Sequence, residues 1–338
     1  MKVLGKSEDS WDHCEGCELS GLYPFLLDPL LHTKVWGGRR LDTIIHKELP
    51  TEEPYGESWE LHDEMTVING PLSGRTLGSL LVECGHKLIG RGNDPEEGFP
   101  IMVKLIDVSE WVSIQVHPND EQAHALENEP RGKSEVLYIL AAQPGSRLVI
   151  GVKPGTTERG LSQAILESRM EDHLVYADVE QGDCVYIPAG AIHASGSGIL
   201  LYEIQQSSDI TYRLYDWGRV DLDGKQRELH TEKGIAVANL EILLEIKHTA
   251  RDIAPTVKLV NTLYFTTLLH RLNIDNGLRV ELDTEGDRFH FLTCIEGKAG
   301  IIGEGESGEI KTGQSVLIPA SLGKYELGGT AQILRSFT

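Results

Sequence analysis

Between residues 99 and 220 the chain alternates short apolar runs with turn residues, at 101–106, 111–117, 135–141, 147–152, 184–188, 199–205 and 210–216. Runs of this length with two-residue alternation predict closely spaced strands. Helical spacing is predicted in three places: Thr76 to Ile89, 119–127 after the Pro118-Asn119-Asp120 start signal, and 161–180, read as a helical pair. The strand-rich region therefore carries helical insertions and does not form a βαβ series. A helix-like stretch at 231–246 leads through a linker near 247–256 into a second strand-rich region, 257–338, with runs at 278–283, 288–295, 299–303, 315–318 and 331–337. That pattern predicts a second, smaller barrel or sandwich. The expected division is an arm at 1–20, a first β domain at 21–246 and a second at 257–338.

Composition changes this picture little. The 338 residues suffice for two cores, and 40% hydrophobic with 25% charged residues is ordinary for a globular protein. Gly 36 and Pro 14 add turns, which suits β structure. A formal charge of -21 argues against nucleic-acid and anionic-membrane partners, so an anionic ligand needs a local basic pocket. No apolar run is long enough to span a membrane and the first residues lack a signal-peptide pattern, so a cytoplasmic location is expected. The five cysteines are an odd number in a long chain, which argues against a disulfide framework. Cys14 and Cys17 form half of a zinc-knuckle pattern without a second pair. Gly303-x-Gly305-x-x-Gly308 matches a dinucleotide fingerprint as a string, but Glu309 to Gly313 cannot open a helix, and a Gly-rich hairpin is expected.

Candidate chemistry sits on strand faces. In 111–117, alternation puts Ser113, Gln115 and His117 on one side, and Pro118 ends the ladder because it has no N–H. Gly132-Lys133-Ser134-Glu135 opens another strand with Lys133 and Glu135 on one face. The strand after Gly182-Asp183 ends at Pro188-Ala189-Gly190-Ala191-Ile192-His193. Two imidazoles, a carboxylate and an amide can surround a divalent ion and leave a position open, a donor set that suits zinc and also non-haem Fe(II).

Four segments, Ser113 to Pro118, Gly132 to Glu135, Pro188 to Ala194 and Glu203 to Arg213, resemble the type I mannose-6-phosphate isomerase family in order and spacing. The likeness runs from about Leu22 to the end, through Lys34-Val35-Trp36-Gly37-Gly38 and Glu57-Ser58-Trp59-Glu60, and is to the shorter bacterial branch. It implies a mainly β fold of two cupin, jelly-roll-like barrels with a few helical insertions. It also implies one zinc held by Gln115, His117, Glu135 and His193, an essential Arg213, and phosphate contacts from Ser113, Lys133 and Arg219. A departure is Ser195, where longer members carry Tyr. The implied activity is aldose–ketose isomerisation of a small sugar phosphate, which needs a cation at O1 or O2 and a proton shuttle. Glu203 shares its strand face with Gln205, and Asp209, Thr211 and Arg213 share theirs, so Glu203 and Asp209 are the candidate shuttles. The rival readings are an Fe(II) cupin dioxygenase and a non-enzymatic sugar-phosphate-binding cupin. The second domain is expected to carry no catalytic metal, since its imidazoles, His270 and His290, follow no strand–Pro–Gly–x–x–His pattern, and the turn Ile318-Pro319-Ala320 runs on without histidine.

Overall fold

The computed structural model describes residues 21–249, 252–273, 278–303 and 307–338; Cys14 and Cys17 lie outside them. Along the first half run β1 (Phe25–Asp28), β2 (Leu30–Gly38), β3 (Tyr55–Leu61), β4 (Thr66–Val67), β5 (Ile101–Val108), β6 (Ile114–Val116), β7 (Glu135–Ala142) and β8 (Arg147–Val152). β9 (Leu174–Asp178), β10 (Asp183–Ile187), β11 (Ala194–Ser195), β12 (Ile199–Gln206), β13 (Tyr212–Tyr215) and β14 (Ile246–His248) follow. The second half supplies β15 (Thr256–Asn261), β16 (Thr266–Leu272), β17 (Val280–Asp283), β18 (His290–Gly303), β19 (Ser307–Lys311), β20 (Ser315–Ile318) and β21 (Lys324–Phe337). The protein is mainly β, as its pattern predicts.

Two large sheets form the body. The seven-stranded sheet has the order β14-β10-β7-β12-β5-β3-β2, and the nine-stranded sheet runs β15-β16-β21-β18-β20-β1-β4, with β17 beside β21 and β19 beside β18. Neither path returns to its first strand among the described residues, so the expected barrels are open sheets. The N-terminal β1 belongs to the second sheet, with Phe25 opposite Leu317 and Leu26 opposite Val316.

Alternation decides what each face of the seven-stranded sheet meets. Leu61, Val103, Leu105, Val136, Tyr138 and Tyr202 join one buried cluster with Leu269, Phe291, Leu317 and Leu334 of the other sheet and with Phe289 just before β18. Each fully buried Leu or Phe contributes about 1.5–3 kcal/mol. A polar seam crosses this core: Lys47 Nζ lies 2.7 Å from Glu60 Oε1, Ser58 donates to that oxygen at 2.6 Å, and Ser315 of β20 donates to Glu60 Oε2 at 2.8 Å. The residues one step along, Glu57, Trp59, Lys104, Glu135, Leu137 and Glu203, point to the opposite face and line a cavity.

Several elements differ from their predicted form. Residues 161–180 are one helix, Glu158–Leu166, a short turn at Met170–His173, and then β9, paired with β8. The helix stops because Ser168 takes φ 55, while Val175 and Tyr176 suit a strand. The helix expected at 231–246 covers only Thr231–Val237. The runs 288–295 and 299–303 are one strand, β18, which continues through Gly297 at φ 79 next to a bulge between Cys294 and Glu296. β18 and β19 form the antiparallel pair expected of the Gly-rich segment. The 76–89 pattern becomes two helices, Leu77–Cys84 and His86–Ile89, separated at Gly85. The 119–127 pattern becomes Asp120–Glu127, with Asn119 and Gln122 closing a capping box.

Candidate metal centre and cavity

The ends of three segments converge on the cavity side of the seven-stranded sheet. β6 places Gln115 and leads to His117, β7 begins at Glu135, and the chain after β10 turns back to His193. The backbones of Gln115 and His193 exchange both N–H···O bonds at 3.0 Å, which fixes one imidazole beside the amide. Gly190 bends the turn at φ 87 and donates to the His117 carbonyl at 2.8 Å.

All three ionisable side chains are buried, and one donor atom from each lies within 4.8 Å of the others. His193 Nε2 is 2.9 Å and His117 Nε2 3.7 Å from Glu135 oxygens. Each imidazole is oriented by its other nitrogen: His117 Nδ1 is 2.8 Å from the Ile210 carbonyl and His193 Nδ1 3.0 Å from that of Ala191. Both Nε2 lone pairs are thereby left to face the same space. The Gln115 amide lies 3.2 Å from His193 Nε2 and 3.5 Å from His117 Nε2; turning the amide over sets its oxygen there. Two aimed imidazole nitrogens, a buried carboxylate and an amide oxygen fit a divalent ion such as zinc. Glu180, Asp183 and His248 also cluster, but Glu180 and His248 are exposed, and the His248 Nδ1 pairs with the buried Asp183 at 2.7 Å.

Charge around the centre is dense. Burial pushes the Glu135 carboxyl up, and Lys133 with the two imidazoles overcomes this, leaving it well below the usual carboxylate range. Burial, with Lys133 beside it, holds His117 well below the ordinary imidazole value. Lys133 Nζ is 2.9 Å from Glu135 Oε2 and 3.4 Å from His117 Nε2. Burial raises the Glu203 carboxyl to about 7, with Glu135 adding to the rise. Lys104, 3.9 Å from Glu203 and 3.8 Å from Asp209, sits 5.0 Å from the centre of the Trp59 ring.

All of these groups except His117, which is buried against Glu135, line a cavity of about 290 Å3. Of the residues singled out in the sequence, Ser113, Gln115, Lys133, Glu135, His193, Ser195, Glu203, Asp209 and Arg213 line it. Arg219 does not: its guanidinium is taken up by Asp216 at 2.7 Å and by the Trp111 carbonyl. Arg227 lines the cavity instead and shares Asp216 at 2.5 Å. The cations beside Glu203 are Lys104 and Lys133. Lys34, Trp36, Glu57, Trp59 and Lys104 also line the cavity. Lys104 had a signal, since it is a lone lysine in the otherwise apolar run 101–106. Arg227 lies in an aperiodic loop and had none.

A β protein of two packed sheets, with a histidine–carboxylate donor set beside a polar cavity lined by Lys34, Lys104, Lys133, Arg213 and Arg227, is a cupin-type fold suited to hold a metal ion beside an anionic ligand. Residues 25–135 match the catalytic domain of type I phosphomannose isomerase, and residues 256–338 match the mannose-6-phosphate isomerase cupin domain. The chain is 32% identical to mannose-6-phosphate isomerase ManA of Bacillus subtilis (strain 168), over 93% of this chain and 98% of that protein. A crystal structure of the mannose 6-phosphate isomerase from Bacillus subtilis superposes with a TM-score of 0.83 at 30% identity, covering 93% and 99% of the two chains. A zinc-bound holo structure of mannose 6-phosphate isomerase shares the fold, with a TM-score of 0.76 at 16% identity over 94% and 100%. The chain belongs to the mannose-6-phosphate isomerase family.

Proposed function

We propose that this chain interconverts mannose 6-phosphate and fructose 6-phosphate in the cavity, with one zinc held by Gln115, His117, Glu135 and His193. The observation that carries the reading is that Gln115, Glu135 and His193, with His117 Nε2 3.7 Å from Glu135, border a cavity whose walls also hold Lys104, Lys133, Glu203, Arg213 and Arg227. When bound, zinc supplies a redox-inert cation that polarises the sugar carbonyl.

The chain's own groups do the rest. Moving a hydrogen between C1 and C2 passes through an enediolate, whose negative charge needs fixed cations nearby. Lys133, against Glu135 and His117, is at the reacting end. Glu203 is the better proton shuttle of the two carboxylates: it is 6% exposed and faces Lys104, whereas the Asp209 side chain is 73% exposed. A group that titrates near neutrality can both take and return a proton. Arg213 and Arg227 form the phosphate end, because a doubly charged anion is best met by guanidinium donors in a partly dry pocket. Arg219 supports that end through the Asp216 carboxylate that it shares with Arg227. The oxygenase alternative gives these cations no task.

The reaction takes place in the cytoplasm on this reading, which the buried free thiols Cys184 and Cys294 support. The test is a coupled assay of metal-analysed protein, with fructose 6-phosphate formation from mannose 6-phosphate as the readout. Activity should vanish on chelation and return with zinc. No product at full zinc occupancy would reject the assignment.

A further inference from the structure

Behind the donor set, one carboxylate collects hydrogen bonds from three parts of the fold. Asp120 opens the helix three residues after His117 and is not part of the cavity wall. Its Oδ1 accepts from the Gly132 backbone N–H at 2.8 Å and from Gln206 Nε2 at 2.8 Å, and its Oδ2 accepts from the Tyr264 hydroxyl at 3.2 Å. The Gln206 side-chain oxygen accepts from Ser134 N at 2.9 Å, and the Gln206 backbone N–H donates to the Ser134 carbonyl at 3.1 Å. Ser134 Oγ in turn accepts from Ala189 N at 3.3 Å. Gln206 and Ser134 are buried.

This network ties together the segments that carry the donors. Asp120 holds the chain leaving His117 against Gly132, three residues before Glu135; Gln206 and Ser134 extend the tie to Ala189, four residues before His193. The approach of 119 to 132 is close enough that a Cβ on Gly132 would lie 2.4 Å from the Asn119 carbonyl carbon and the Pro118 oxygen. Lys133 N donates to that same Pro118 oxygen at 3.0 Å. Tyr264 lies between β15 and β16, so the second sheet joins the same carboxylate.

We infer that Asp120 is a positioning residue for the metal centre, which with Gln206 sets the spacing of His117, Glu135 and His193 and links it to the second sheet through Tyr264. The inference rests on the reading that these donors hold zinc. Partners bonded directly to a metal's ligands are worth about 10–100-fold in metal affinity, and Asp120, which acts on the ligands only through the backbone that carries them, belongs at the lower end.

The test is zinc affinity by chelator competition on the full chain, with the fold of each variant checked by circular dichroism. Asp120→Ala and Gln206→Ala should each raise the zinc Kd about tenfold. Asp120→Asn, which keeps an acceptor for Gly132, should recover most of that loss, and Tyr264→Phe should cost less than Asp120→Ala. The double variant Asp120→Ala/Gln206→Ala should lose less than the product of the single losses, because both residues act through one network. If Asp120→Ala does not fold, Asp120→Asn and Gln206→Ala carry the test. Folded variants that bind zinc as tightly as the parent, or losses that simply multiply, would overturn the inference alone. A parent chain that takes up no zinc would overturn the metal reading and this inference with it.

Discussion

In the seven-stranded sheet, β10 ends at Ile187 and the chain turns through Pro188-Ala189-Gly190 to His193; in the nine-stranded sheet, β20 ends at Ile318 and turns through Pro319-Ala320 into Ser321-Leu322-Gly323. The two strands enter the same kind of turn, and only one delivers an imidazole to a cavity. The second region does bury imidazoles, but their surroundings differ. His270 Nδ1 lies 2.9 Å from the Thr256 hydroxyl and His290 Nδ1 2.7 Å from the Tyr325 hydroxyl, and His290 packs against the Phe337 ring. Burial of a histidine therefore does not by itself define a metal centre. What defines it is a second nitrogen aimed at a carboxylate, with the first nitrogen occupied by a backbone carbonyl, as at His117 and His193.

The largest difference is expected when one imidazole is removed from each region and turnover of mannose 6-phosphate is measured. His117→Ala should lower kcat at least about a thousandfold, since it removes both a ligand and the charge stabilisation that depends on it. His270→Gln should leave turnover near that of the parent. Equal losses in the two variants would mean that the second region takes part in the chemistry.

A smaller effect is expected at the seam between the sheets. Lys47→Met leaves the buried Glu60 carboxylate without its cation, and breaking a buried pair in this way costs about 3–5 kcal/mol. Ser315→Ala removes only a hydroxyl donor to the same carboxylate and should cost about 1 kcal/mol. Denaturant unfolding of both variants checks the order, and a reversed order would show that the seam does not depend on the ion pair.

An effect of similar size is expected in the pH response of the second region. Burial, with Arg335 nearby, lowers His270 to about 3. Burial, with Arg335 and Arg288 facing it, lowers His290 to about 2. Both rings fold in the neutral form, while in the unfolded chain they protonate near their ordinary value. Their full contribution is therefore present above about pH 6.5 and is lost as pH falls toward the folded values, at about 1.4 kcal/mol per pH unit for each ring. The His270→Gln/His290→Gln variant should show a flatter fall in stability between pH 6.5 and 5 than the parent. An unchanged slope would assign the acid sensitivity to other groups.

Much of this arrangement is legible in the chain. The runs that became β5, β7, β8, β10, β12 and β20 alternate or stay apolar over strand lengths, and the helix at Asp120 is announced by Pro118-Asn119-Asp120. The long strands β18 and β21 are hidden because Gly297 and the Gly328-Gly329 pair look like turns, whereas the chain passes through them as a bulge or a bend. β9 is hidden by apolar residues that continue the helical spacing of 161–166. At the site, His117, Glu135 and His193 stand next to turns that a reader can see. Lys104 and Arg227 come into the cavity only through sheet order and loop placement, which local pattern does not encode. Arg219 is the converse: its position in a motif segment pointed to the ligand, and tertiary packing turned it to Asp216.

The most direct measurement is the zinc content per chain of the purified protein and of two paired variants. The parent is expected to hold one zinc. The His117→Ala/His193→Ala variant should hold none, while His270→Gln/His290→Gln should keep one. Full zinc in the first pair, or its loss in the second with the fold intact, would contradict the assignment of the metal centre to the seven-stranded sheet.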